Sequence, residues 1–127
     1  MTNSTSVKFT IDFNVSESSL DAEDKDKQVQ RLIAELREME EVDAVKRVSN
    51  LDPTIDSRAI GGFLVGLLTA EVNVVNAKKL MEFLSYRLAG KPIELTVEAN
   101  GKKLSVKAHS RKELEAAIKA AQDFIAG

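Results

Sequence analysis

The side chains able to do chemistry are few, and their neighbours assign them other tasks. His109 is the single histidine and there is no cysteine. Thiolate nucleophiles, disulfides and conventional zinc ligand sets are therefore excluded together. A nucleophile–base pair would need Ser110 free beside His109, with a carboxylate orienting the ring. Ser110, however, opens Ser110-Arg-Lys-Glu113, the pattern of a capping box, which commits its hydroxyl to a helix N-terminus. Carboxylates are plentiful, in Asp21 to Asp26 and at Glu38, Glu40, Glu41 and Asp43. Acid–base work needs one of them in an apolar pocket that raises its pKa. These sit among polar neighbours and read as solvated helix faces. The spacing of a calcium loop is absent, and so are the Gly-rich signatures that cradle nucleotide phosphates. The residues thus predict a protein that is not an enzyme, with no catalytic residue, cofactor or metal.

Lys102, Lys103, Lys107, Arg111 and Lys112 form a basic cluster that could meet phosphates. Aromatic stacking platforms are missing around it and the net charge is −2, which argues against a dedicated nucleic-acid binder. Charge is uneven along the chain. Residues 1–57 carry 7 Lys and Arg against 13 Asp and Glu, whereas residues 58–127 carry 11 against 7. Differing solvated faces account for this gradient. With 43% hydrophobic residues in 127, the chain has the composition of one globular domain with an aliphatic core. Residues 1–5 are polar and are expected to be disordered. The lack of cysteine and of a secretory leader points to the cytoplasm.

The elements that must position these residues follow from periodicity. Val7, Phe9, Ile11, Phe13 and Val15 alternate with polar residues, as in a strand with one buried face. Asp21 is placed to cap a helix whose apolar stripe is Val29, Leu32, Ile33, Leu36 and Met39. A short strand over Val42 to Val48 completes a β-α-β unit, in which the two strands would run parallel if they share a sheet. Asp52-Pro53 marks a loop. Ala77 to Leu88 reads as an amphipathic helix, stopped by Gly90 and Pro92. Ile93–Val97 and Leu104–Ala108 are strands joined by Asn100-Gly101, a pair suited to a two-residue hairpin turn. The capping box then opens a last helix. The predicted fold is α+β, a two-layer sandwich of a four-stranded mixed sheet with helices on one face, in the order β-α-β-α-α-β-β-α.

The least ordinary stretch is Ala59-Ile-Gly-Gly-Phe-Leu-Val-Gly-Leu-Leu-Thr-Ala-Glu-Val-Asn-Val-Val75, in which only Glu71 is ionised. It reads as an apolar helix, and with the helix after it as a helical hairpin over residues 57–89. A membrane span needs about 20 apolar residues, more than this run supplies. Gly62, Gly66 and Ala70, four apart, would line one helix face and admit a second helix closely. Each interior glycine costs a helix about 1 kcal/mol against alanine, so the pair asks for a packing reason. An intramolecular neighbour or a second chain would each provide one. The interaction residues read from this pattern are Ile60, Gly62, Phe63, Gly66, Leu67 and Ala70.

The layout of residues 52–127 resembles the bacterial family called effector-associated constant component 1. The resemblance lies in the Asp52-Pro53 lead-in, the Gly/Ala/Leu-rich Ala59 to Leu68, and the helix Leu80-Met-Glu-Phe-Leu-Ser-Tyr-Arg-Leu88. It extends to the hairpin Ile93 to Leu104 and the closing helix introduced by Ser110-Arg-Lys-Glu-Leu114. Arg31-Leu-Ile-Ala-Glu-Leu-Arg37 and the Val45–Val48 strand look similar too. The resemblance implies a non-enzymatic adaptor or regulatory component of a bacterial conflict or antiviral defence system. Its partner would be a protein effector, such as a caspase-like or trypsin-like protease, or a second copy of itself. A rival expectation is a membrane-active or self-assembling component that uses the apolar 59–75 helix.

Overall fold

The computed structural model describes residues 6–14, 22–49, 59–60 and 63–126. The elements run β1 (Ser6–Asp12), α1 (Ala22–Arg37), β2 (Val42–Ser49), β3 (Ala59–Ile60), β4 (Phe63–Asn73), a 3-10 turn (Val74–Asn76), α2 (Ala77–Arg87), β5 (Ile93–Ala99), β6 (Lys102–Ala108) and α3 (Arg111–Ala126). Five main strands lie in the order β2-β4-β1-β5-β6, and the two-residue β3 folds back on the start of β4. Residues 1–5, Val15, Asp21 and Asp52-Pro53, on which other expectations rest, lie outside the described residues.

Two expectations are corrected. The sheet has five main strands, and every pair is antiparallel. It is not a four-stranded mixed sheet. The parallel β1 and β2 never pair, because β4 lies between them, antiparallel to both. β4 and β5 are likewise parallel, with β1 between them. Two such interlocked units make the split β-α-β arrangement of ferredoxin-like folds, here extended by β6 and α3.

The second correction concerns the apolar helix and the helical hairpin over 57–89. Residues 63–73 form the strand β4, and among the described residues of that region only Ala77–Arg87 is α-helical. From Leu68 to Asn73 the side chains alternate. Leu68, Ala70 and Val72 are buried on the face carrying Ile11, Phe9 and Val7, while Glu71 and Asn73 face the other way. Period two places every second residue in the core. A helix would have dispersed these residues around its axis and kept two glycines in its interior, at about 1 kcal/mol each.

The inner face of the sheet carries Phe9, Ile11, Leu68, Leu95 and Val97, none more than 1% exposed. α1 covers β2 and β4, α3 covers β5 and β6, and α2 lies against β4 and α3. The stripes seen in the sequence are the ones buried. Val29, Leu32, Ile33 and Leu36 of α1 enter the core, as do Leu80, Met81 and Leu84 of α2 and Leu114, Ile118 and Ala121 of α3. The hairpin turn is as its residues require. Asn100 and Gly101 hold φ of 55° and 76°, the left-handed pair of a type I′ turn.

One acid of the Asp21–Asp26 run departs from the solvated reading. Asp26 is 7% exposed. Its carboxylate is ion-paired with Arg47, which projects from β2 on the helix side of the sheet, and accepts a 2.6 Å hydrogen bond from Gln30 Nε2. This pair ties α1 to the edge strand β2. Removing one member of a buried pair leaves the other charge uncompensated, a loss of about 3 kcal/mol, whereas replacing both by apolar residues is often near neutral. Asp26→Ala should therefore lower the urea midpoint far more than the double variant Asp26→Leu/Arg47→Met. Equilibrium unfolding of the two variants beside the parent chain measures this directly.

Candidate functional site

The interaction residues predicted on an apolar helix, where the structure describes them, lie in strands. Ile60 belongs to β3 and Phe63 begins β4, and Gly62 lies outside the described residues. Ala70 is 1% exposed and sits opposite Phe9 on the inner face. Leu67 is half-buried on the other face, opposite Asp12. Gly66 has a structural reason of a different kind. Its φ is +78°, and a Cβ built there would stand 2.8 Å from Asn14 Nδ2. Between Arg47↔Leu68 and Ser49↔Phe63 the register of β4 slips, so four residues of β4 oppose one of β2. Gly66 lies in this bulge and lets the chain bend where a side chain could not fit. The Asn14 amide fixes the bend by donating to the Val65 carbonyl at 2.7 Å, while the Phe13 N–H donates to the Gly66 carbonyl at 2.8 Å.

The junction of β6 and α3 is a cap. The Glu113 N–H donates to Ser110 Oγ at 3.1 Å, so the hydroxyl is engaged as the sequence predicts. The return bond differs by one residue, since Glu113 Oε1 accepts from the N–H of His109, at 2.6 Å, where a capping box uses the N–H of the cap residue. His109 Nδ1 lies 3.4 Å from the same oxygen. His109 and Ser110 are thus both bound into the start of α3.

The face of the sheet away from the helices is polar and largely paired with itself. Across it the strand register sets Glu71, Lys8, Glu98 and Lys103 in one row, with alternating sign. The adjacent row is Lys46, Thr69, Thr10, Thr96 and Ser105, and the hydroxyls of Thr96 and Ser105 are 3.0 Å apart. Cross-strand pairs of opposite charge are mutually favourable, and a face built this way presents no single sign to a polyanion.

Large apolar side chains are exposed elsewhere. Val75 is 80% exposed and Tyr86 79%. With Lys79 and Glu82 they are spaced four, three and four apart, so all four share one solvent-facing stripe along the 3-10 turn and α2. Beside its start lies an open groove lined by Val74, Ala77, Met81, Ile125 and Ala126. The sequence reading missed this stripe because it assigned Val74 and Val75 to the end of an apolar helix. The signal present was the apolar Tyr86 on the charged side of α2, next to Glu82.

At the other end of α2, Arg87 Nε donates to both oxygens of Glu35, at 2.7 and 2.9 Å. Nearby, Lys91 Nζ donates to Gln28 Oε1 at 2.7 Å. Burial holds the Lys91 ammonium below the ordinary lysine value, and Arg87 and Arg31 add to the effect against the opposing pull of Glu35.

No family model matches the chain, and comparison with curated proteins and with solved structures finds no significant similarity. Among the described residues no group of acids and histidine could hold a metal ion, and no helix is long and apolar enough to cross a membrane.

Two outcomes follow from this geometry. Gly66→Ala must hold a Cβ in the left-handed region against Asn14, and should cost about 2 kcal/mol on the cost of such strained backbone. Chemical denaturation checks it, with Asn14→Ala expected to lose a smaller amount, about 1 kcal/mol, for the hydrogen bond to Val65. The second concerns pH. The folded chain holds the Lys91 proton less tightly than the unfolded chain, so the charged side chain costs stability at neutral pH. That cost fades as pH rises from the folded pKa toward 10.5, because the unfolded state binds more protons over that interval. The melting temperature of Lys91→Met relative to the parent should therefore fall between pH 7 and pH 10, as calorimetry at the two values would record.

Proposed function

We propose that the chain is a non-enzymatic protein-binding module, acting as an adaptor or regulatory component of a bacterial conflict or antiviral defence system. Its partner is an effector of the caspase-like or trypsin-like protease kind. The effector context rests on the resemblance of residues 52–127 to effector-associated constant component 1. The observation that carries a protein-binding role is the exposed stripe Val75–Lys79–Glu82–Tyr86. Two large side chains, each about four-fifths exposed, frame a pair of opposite charges on a helix that is otherwise well buried on its inner side. Tyrosine is favoured at the energetic centre of interfaces, and its apolar ring with a polar tip suits that place. The docking region stays within residues 59–88, but its contact residues move from Ile60, Gly62, Phe63, Gly66, Leu67 and Ala70 to Val75 and Tyr86.

The test is recovery of partners from native lysate with the tagged chain and with Val75→Asp and Tyr86→Ala. The parent should retain a protease-type effector at near-stoichiometric yield. Each variant should lose at least about tenfold in affinity, the usual cost of truncating an interface anchor, with an unchanged melting temperature. Equal recovery by parent and variants would remove the α2 stripe as the docking surface. Absence of any effector with the parent would remove the adaptor reading.

A further inference from the structure

Among the described residues, the outer edge of β6 is unpartnered and has a groove beside it. β6 ends the sheet, with β5 on one side and no strand among the described residues on the other. Ala99↔Lys102 closes a two-residue hairpin, so that pair exchanges backbone hydrogen bonds, and pairs alternate from there. Leu104, Val106 and Ala108 thus bond to β5, while the N–H and C=O groups of Lys103, Ser105 and Lys107 point away from it. Beside them lies a groove of about 320 Å³ lined by Val106, Lys107, Glu113, Ala116, Ala117 and Ala120. Val106 is half-buried and Ala116 exposed, so apart from Glu113, whose carboxylate accepts from the His109 N–H, the helix side of this edge is apolar and shallow.

The charge pattern says what belongs there. In one row of the open face the sign runs Glu71, Lys8, Glu98, Lys103, ending on a lysine at the edge. In another, Asp12 and Glu94 lead to Lys107. The next strand would continue both rows with acids. A second copy of β6 is disfavoured, since antiparallel pairing would set Lys103 and Lys107 against one another, a common guard against edge-to-edge association. We propose that the β6 edge binds an extended acidic peptide segment of a partner protein by strand addition. Its acidic side chains lie on the open face beside Lys103 and Lys107, and its alternate apolar side chains enter the groove against Val106, Ala116 and Ala120. Main-chain hydrogen bonds then supply affinity and alternate side chains supply specificity. This surface is separate from the α2 stripe and does not depend on the effector reading.

The probe is a synthetic peptide in which Glu and Val alternate over about nine residues, a typical strand length. It should shift the amide signals of Lys103, Ser105 and Lys107 in ¹H–¹⁵N spectra and slow their exchange. In antiparallel addition the glutamates exchange bonds with these residues. Methylation of the glutamate amides should therefore weaken binding by at least about tenfold, because the donors are lost while the charge is kept. Ser105→Pro removes an outward N–H without breaking the ladder to β5, so the variant should fold and lose the peptide. Ala116→Glu, which fills the groove with a like charge, should lose it too, whereas Val75→Asp should bind as the parent does. Equal binding of the methylated peptide, or of a Lys/Val peptide, would overturn the proposal. So would an oligothymidine that shifts these amides while the acidic peptide does not.

Discussion

Seven residue pairs join β1 to β4, from Ser6 opposite Asn73 to Asp12 opposite Leu67, and the remaining architecture depends on this ladder. Its inner side is a continuous apolar strip of Val7, Phe9 and Ile11 against Val72, Ala70 and Leu68, each at most 1% exposed. A one-residue slip of β1 against β4 would turn Val7, Phe9 and Ile11 outward and bring Lys8 and Thr10 into the core, so the register is strongly specified. With β4 fixed beside β1, β2 must pair with β4 on its far side, and β5 must take the other edge of β1. α1 and α2 then cross on the face that bears the apolar strip. The β5–β6 hairpin and α3 extend the sheet beyond this centre without altering it.

The same ladder explains where polar groups concentrate. A strand between two neighbours has no free backbone, so its side chains settle either in the core or on the open face. On the open face, opposite charges in adjacent strands compensate one another, as Glu71, Lys8 and Glu98 do. At the two ends of the sheet a strand has a cross-strand neighbour on one side alone. At the β2 edge, Arg47 turns to the helix side and is neutralised by Asp26 and bound into α1. At the β6 edge no helix acid among the described residues is ion-paired with Lys103 or Lys107, whose partners Glu98 and Glu94 lie on one side alone. The two ends of the sheet are therefore unlike in charge: the β2 arginine is held by a helix acid, whereas the β6 lysines face acids of β5 alone.

Much of this was legible in the residues, and the failures share a physical cause. The β1 strand, the stripes of α1, α2 and α3, the Asn100-Gly101 turn and the cap at Ser110 all depend on contacts close in sequence, and local periodicity reports those well. β4 is different. Its sequence is apolar because it is an interior strand, and a continuous apolar run does not distinguish strand from helix by periodicity. The usable signals were the alternation from Leu68 to Asn73 and the helix cost of the two glycines. The glycines were read as a small-residue stripe, yet Gly66 answers to Asn14, fifty-two positions earlier in the chain. No pattern within β4 could show that. The Asp26–Arg47 pair was hidden for the same reason, since it joins α1 to β2 across a turn of the fold.

Moving residues 63–73 from helix to strand also changes where recognition can occur. As a helix, this run would have offered an apolar side to a partner. As β4 it spends Leu68, Ala70 and Val72 on the core and Gly66 on a bulge, leaving little to give. What the fold leaves exposed is of two kinds. Between β4 and α2 the chain passes through a 3-10 turn that carries Val75 exposed, and Tyr86 is exposed further along the helix. On β6, the strand is last in its sheet, and its lysines, with Glu113 and the adjoining alanines of α3, limit what may pair with it. One surface is a ridge of side chains and the other a row of backbone donors and acceptors. A partner that used both would need a groove for the first and an extended acidic segment for the second, so the two can be lost independently by substitution.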